Sequence, residues 1–147
     1  LSGSGTLTVS NVLNWTAGGI DGGGFGRLVI APGATLNLAN SGEVHQYQWT
    51  LENAGTVLWT GSGNFRYSDG AVLTNRAGAL WEVRNDQGIT FVSGSGGNRF
   101  DNAGTFRKTT ATGTTLFDSG LAWNNYGSIE IQSGIVAANG RSRYFYR

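Results

Sequence analysis

The sequence predicts an all-β chain wound as a parallel β-solenoid (a β-helix) of about six coils of about 24 residues. Three observations predict it: a composition that excludes the other classes, a motif that returns once per coil, and a two-residue apolar alternation after each return. Gly, Thr, Asn and Ser together supply 65 of the 147 residues, against one Lys, four Glu and one Pro. Helical bundles and coiled coils draw on Ala, Leu, Glu and Lys at helical period, so they are excluded. Collagen is excluded because the 25 Gly have no three-residue period and Pro is nearly absent. With 39% hydrophobic, 12% aromatic and only 13% charged residues, the chain has the reverse of a disordered composition.

The returning motif is apolar-x-Asn-x-Gly. It reads Leu51-Glu-Asn53-Ala-Gly55-Thr56, then Phe100-Asp-Asn102-Ala-Gly104-Thr105, then Trp123-Asn-Asn125-Tyr-Gly127-Ser128. Leu73-Thr-Asn75-Arg-Ala-Gly78 matches with an insertion, and segments at Gly5 and Gly33 keep the Gly and the following strand without the Asn. The anchors Gly5, Gly33, Gly55, Gly78, Gly104 and Gly127 are spaced 28, 22, 23, 26 and 23 residues apart, as loops of varying length around a fixed strand would give. An antiparallel sandwich has turn signals every 8–12 residues but no reason to repeat one motif every two or three strands. A solenoid does, because equivalent residues stack at about 4.8 Å per coil.

Element by element, the inward positions after each anchor are expected at Leu7/Val9, Leu36/Leu38, Val57/Trp59, Trp81/Val83, Phe106/Lys108 and Ile129/Ile131. Lys108 alone is not apolar, and is expected either to reach solvent or to pair with a carboxylate. A second apolar set fills the other half of each repeat: Leu28/Ile30, Trp49/Leu51, Phe65/Tyr67, Phe91, Leu116 and Ile135. Asn53, Asn75, Asn102 and Asn125 fall in one column, where stacked amides can hydrogen-bond along the axis. The corner glycines are expected to supply positive φ. The repeat domain spans residues 1–140, and residues 141–147 form a basic aromatic C-terminal tail, a cap or an intersubunit connector.

The segments NAGT, Phe100–Thr115 (FDNAGTFRKTTATGTT), Asn124–Gly134 (NNYGSIEIQSG) and Arg76–Gly88 (RAGALWEVRNDQG) together resemble the Gly/Asn/Thr-rich repeats of large secreted bacterial surface proteins, the adhesins and autotransporter passengers. The resemblance covers about residues 1–140. It implies a parallel β-solenoid, an extracellular or cell-surface location, and a role in adhesion, matrix or filament formation. It brings no catalytic residues with it, and the tail departs from the repeat.

Several function classes recede on charge and residue type. Arg141, Arg143 and Arg147 lie in the last seven residues, leaving −2 on residues 1–140, so the body has no electrostatic footprint for nucleic acid. No apolar run reaches the roughly 18 residues of a membrane helix, and membrane insertion is not expected. Without Cys there is no disulfide scaffold, thiolate metal site or Cys nucleophile. Leu1 is not a translational start, so the chain is expected to be processed or part of something longer.

Candidate chemistry is sparse. His45 is the one His and has no Gly-x-Ser-x-Gly nucleophile elbow beside it. Glu52 and Asp101 share a column two coils apart, roughly 9–10 Å, near the upper end of an inverting glycosidase pair. Asp69 and Asp118 read as turn formers. Gly18-Gly-Ile-Asp21 and Gly96-Gly-Asn-Arg99-Phe-Asp101 fail the repeated calcium pattern, and no metal or cofactor is expected. A threonine rank at Thr6, Thr35, Thr56 and Thr105 would suit ice binding, but Leu80 and a neighbouring column holding Glu82, Arg107 and Glu130 break it. Trp59, Trp81 and Trp123 are expected in the core; exposed in a row, they would instead stack on sugars.

The expected function is therefore a non-enzymatic extracellular module, a segment or subunit of a bacterial surface fibre or adhesin, self-associating head-to-tail into filaments by end-to-end stacking. The tail residues Arg141, Arg143, Tyr144, Phe145, Tyr146 and Arg147 are the expected assembly contact. A carbohydrate-binding or polysaccharide-cleaving β-helix that recognises surface glycans is the alternative, and an ice-binding solenoid the second.

Overall fold

In the computed structural model, residues 1–21 and 24–144 are described, and they contain nineteen strands of three or four residues. The strands build three parallel sheets along one axis. The first sheet stacks β1 (Thr6–Val9), β4 (Arg27–Ile30), β7 (Thr50–Asn53), β10 (Val72–Asn75), β13 (Arg99–Asn102), β16 (Ala122–Asn125) and β19 (Ser142–Tyr144). The second stacks β2 (Val12–Trp15), β5 (Thr35–Leu38), β8 (Thr56–Trp59), β11 (Leu80–Val83), β14 (Thr105–Lys108) and β17 (Ser128–Ile131). The third stacks β3 (Gly18–Asp21), β6 (Val44–Tyr47), β9 (Phe65–Ser68), β12 (Ile89–Phe91), β15 (Thr114–Phe117) and β18 (Ile135–Ala138). Every strand therefore pairs with its equivalents in the adjacent coils, and the chain is a β-solenoid of about six turns with a spacing of about 23 residues. Among the described residues no helix is long and apolar enough to cross a membrane.

A four-residue strand has two inward positions, and these make the core. In the first sheet Leu7, Leu28, Leu51, Leu73, Phe100 and Trp123 share one inward column. Toward the C-terminal coils the core turns aromatic: Phe100 lies 5.0 Å from Trp81 and 6.0 Å from Trp123 by ring centroids, and Phe117 lies 4.1 Å from Trp123. Mostly edge-on ring packing of this kind fills the axis with large side chains that need few polar partners.

The corner between the first and second sheets takes two forms. After β4 and β10 the chain takes four residues to turn, at 31–34 and 76–79, with Ala34 N–H donating to Ala31 O and Ala79 N–H to Arg76 O, each at 3.0 Å. Gly33 and Gly78 have φ of 80° and 81° at the third position, the left-handed conformation a type II turn requires, and Pro32 sits at its second position. After β7, β13 and β16 the turn takes only two residues. A Cβ on Gly55 would strike the carbonyl oxygens of Ala31 and Ala34, and one on Gly104 those of Arg76 and Ala79. The tight corners at Gly55 and Gly104 thus nest under the wider turn of the coil before, and the one at Gly127 packs on the tight corner at Ala103 and Gly104. The expectation of positive φ holds for Gly33 and Gly78; at Gly55, Gly104 and Gly127 the side chain is absent because neighbouring backbone occupies its place.

The first coil differs from the sequence expectation. Leu7 and Val9 pair with Leu28 and Ile30 in the first sheet, and the column containing Leu36/Leu38 begins instead at Leu13/Trp15. Gly5 accordingly lies one corner earlier than Gly33, and a Cβ there would meet nothing within 4 Å. The segments after Gly5 and Gly33 look alike because any solenoid strand after a glycine does; the coil perimeter decides, and β2 sits 23 residues before β5. The second apolar set likewise divides between the first and third sheets. Leu116 and Ile135 in it face outward: Thr115 and Phe117 are the buried pair of β15, and Ile135 lies opposite exposed Thr114 while Val136 and Ala138 pack on the core.

The proposed boundary at residue 140 is crossed by a sheet: β19 pairs in parallel with β16, Trp123 opposite Ser142 and Asn125 opposite Tyr144. Residues 142–144 thus lie on the chain's own last coil. Phe145, Tyr146 and Arg147 fall outside the described residues.

Candidate functional site

The Asn column is continuous. Asn53 Nδ2 donates to Asn75 Oδ1 at 2.8 Å, Asn75 Nδ2 to Asn102 Oδ1 at 2.8 Å, and Asn102 Nδ2 to Asn125 Oδ1 at 2.6 Å. The second proton of each amide is directed to the next coil, to Leu80 O at 2.8 Å, Thr105 O at 3.0 Å and Ser128 O at 3.0 Å. Gly55 N–H closes the N-terminal end on Asn53 Oδ1, and Asn125 Nδ2 closes the other on Gly127 O. Val9 and Ile30 hold the same column in the first two coils, so the ladder ends on apolar side chains. Its chemistry is structural: every amide is turned to a neighbour.

On the outer face of the first sheet, Glu52, Thr74 and Asp101 lie in register. Glu52 is nearly buried between the guanidinium groups of Arg27 and Arg76. Asp101 accepts from Arg99 Nε at 2.7 Å and from Asn124 Nδ2 at 2.8 Å. Both carboxylates are thus engaged by donors of their own and adjoining coils, where a glycosidase pair would be turned on a shared cleft.

His45 projects from β6 in register with Arg66 of β9. Its Nε2 lies 2.9 Å from Ser68 Oγ, a serine–histidine contact that sequence spacing did not reveal. Partial burial, and then the Arg66 charge, push the imidazole pKa below its ordinary value, against weaker opposing pulls from Asp21 and Glu43. A general base needs a nucleophile that substrate can reach, and Ser68 is 1% exposed. Burial of Ser68 makes the contact a coil-to-coil bond.

Lys108 occupies an inward position of β14 and is fully buried. Its Nζ donates to Asn85 O at 2.6 Å, Asp86 Oδ1 at 2.8 Å and Thr115 Oγ1 at 3.0 Å, so all three protons are used. The lysine hydrogen bond holds the Asp86 carboxyl below its ordinary pKa, against a smaller desolvation effect. Of the two sequence expectations, pairing with a carboxylate describes the geometry.

All five Trp are buried, Trp59 and Trp81 completely, and Trp15, Trp49 and Trp123 are under 8% exposed. An exposed tryptophan row is therefore not a feature of this surface. Among the described residues no three His, Asp or Glu side chains converge as metal ligands. The outer rank of the second sheet begins with Val12, where Thr6 was expected, and passes through Leu80. Compared with protein-family models, curated proteins and solved structures, the chain finds no match.

Proposed function

We propose that the protein is a structural scaffold, an extracellular solenoid module of a surface fibre or adhesin that stacks end to end with further copies. The observation that carries this reading is the chemistry of the two end coils. Leu7 and Leu13 border the first coil around a largely apolar hollow of about 240 Å³ that Leu1, Trp15 and Ile20 also line. Leu1 backbone bonds to Gly19 and Asp21 cover part of the β3 edge, while β1 and β2 end their sheets. At the other end Ile131, in the inward column of Lys108, is 50% exposed on β17, and Ile135 is 58% exposed on the outer face of β18; both strands also end their sheets. An exposed strand edge with apolar neighbours recruits another strand in the same geometry. A head-to-tail contact between unlike ends does not close on itself, so it propagates as a filament. The internal pairing of the charged groups supports a scaffold over a catalyst. The contact falls to the end edges in preference to the tail, since Ser142–Tyr144 lie on β16 of the same chain.

Sedimentation and light scattering across a concentration series test this. The parent chain should grow with concentration, while Leu7→Lys or Ile131→Lys, which place a charge on one end coil, should remain monomeric with unchanged circular dichroism. Assembly that both variants leave intact, or a parent that stays monomeric at high concentration, overturns the reading.

A further inference from the structure

A second feature, independent of end-to-end stacking, lies on the side of the solenoid at the corner between the third and first sheets. The first six strands of the first sheet are offset by 21, 23, 22, 27 and 23 residues, and the long step separates Val72 from Arg99. The extra residues fall in Ser93-Gly-Ser-Gly-Gly97, between β12 and β13. This loop is anchored by Ser95 N–H on Asp69 Oδ1 at 3.2 Å. It forms one wall of a cleft of about 470 Å³, with Ser119, Gly120 and Arg141 of the following coils opposite. In a repeat fold, an insertion confined to one coil is a common origin of a binding face.

The cleft is rich in donors. Arg99 and Arg141 both line it, and no Asp or Glu does. Arg141 is exposed and has no carboxylate partner among the described residues. The nearby acids are already engaged: Asp101 by Arg99 and Asn124, Asp118 by the N–H groups of Phe91 and Ser119, Asp69 by Ser95. Asn98 also lines the cleft and is 3% exposed. Its Oδ1 accepts from Gly70 and Ala71 N–H at 2.9 and 3.0 Å, but its Nδ2 is buried without an acceptor. A buried donor left unpaired is costly, so the fold leaves one polar demand unmet beside this cleft.

We propose that this cleft binds an anionic sugar, a residue carrying a carboxylate or a sulfate ester. The two guanidinium groups supply the charge-assisted contacts that such oxygens take up well. Gly96, Gly97, Gly120 and Ala122 leave room for a ring against backbone, and Ser119 adds a hydroxyl. The volume is that of a small-molecule site and far exceeds a bare inorganic ion. Recognition here does not depend on an exposed tryptophan platform.

The test is titration calorimetry of the whole chain with a hexameric uronate, a sulfated oligosaccharide of equal length, a neutral hexasaccharide and inorganic sulfate. At least one anionic oligomer should bind saturably, and the one that binds identifies the acidic group. Arg141→Gln should weaken it at least tenfold, and Ala122→Trp, which fills the cleft, should abolish it. Arg107→Gln removes the same charge on the second sheet and should change affinity less than twofold. Circular dichroism checks that each variant keeps its fold. The proposal is overturned if neither anionic oligomer binds, if the neutral sugar or inorganic sulfate binds as tightly, or if Arg141→Gln matches Arg107→Gln. Monomeric end-edge variants should bind normally, which separates failure here from failure of the stacking model.

Discussion

Replacing Asn102 by Ala removes the centre of the amide ladder. Asn102 is fully buried and takes part in three side-chain hydrogen bonds: it accepts from Asn75 at 2.8 Å and donates to Asn125 at 2.6 Å and Ser128 O at 3.0 Å. The truncation does not strand all partners equally. Asn75 Nδ2 keeps Thr105 O at 3.0 Å, and Asn125 is only half-buried, so water can reach it. The main losses are the bonds themselves, each with a net value of about 0.5–1.5 kcal/mol, and the desolvated oxygens left behind. We expect a destabilisation of about 3 kcal/mol, which for a chain of this size lowers the thermal midpoint by roughly 6–12 °C. Far-UV circular dichroism during heating and in urea measures it. Asn37→Ala is the internal comparison, because Asn37 donates to Asn14 at 2.9 Å on the exposed outer face and should cost less than about 0.5 kcal/mol. Asn102→Leu should not recover the loss, although Val9 and Ile30 occupy the same column, because those two precede the ladder while Leu would interrupt it. A midpoint for Asn102→Ala within a degree of the parent, or no lower than that of Asn37→Ala, would refute the claim that the column stabilises the fold.

Two further outcomes follow from the corners and the buried lysine. Gly104→Ala places a methyl on the carbonyls of Arg76 and Ala79 and should cost about 2 kcal/mol or more in urea unfolding, whereas Gly5→Ala, with open space around it, should be neutral within about 0.5 kcal/mol; equal effects would contradict the nested corners. Asp86 is held below its ordinary pKa by Lys108, so its contribution is complete above the unfolded value of about 3.9 and is lost as pH falls through the folded value. The urea midpoint of the parent should therefore fall below about pH 4, and Asp86→Asn should start lower at neutral pH and fall less steeply; parallel pH profiles would count against the ion pair.

The columns were legible in the sequence because a parallel stack forces equivalent residues together. Asn53, Asn75, Asn102 and Asn125 repeat for that reason, and their register is the one the motif predicts. Lys108 stood out as the polar residue in an apolar series. Other features were hidden because they depend on perimeter and on distant chain. Three sheets looked like two apolar sets, since strands of three or four residues separated by connections of two to seven residues leave little local signal. Gly55 and Gly78 looked equivalent, yet one nests under a turn and the other makes one. Asn40, Asn85 and Asn98 are buried corner amides outside the repeated motif, each satisfying backbone of its own or an adjacent coil, so spacing alone did not single them out. The Ser68 partner of His45 was missed because it lies 23 residues away, one coil on, without any shared motif.

Electron cryo-microscopy of the concentrated protein tests the central claim, stacking of like coils within and between chains, most directly. The account predicts filaments in which the three sheets run on through each junction, with the β1 and β2 edges of one copy seated on the β17–β19 end of the next and a strand spacing of about 4.8 Å preserved across it. Isolated monomers at every concentration, or lateral dimers that leave both end coils uncovered, would contradict it.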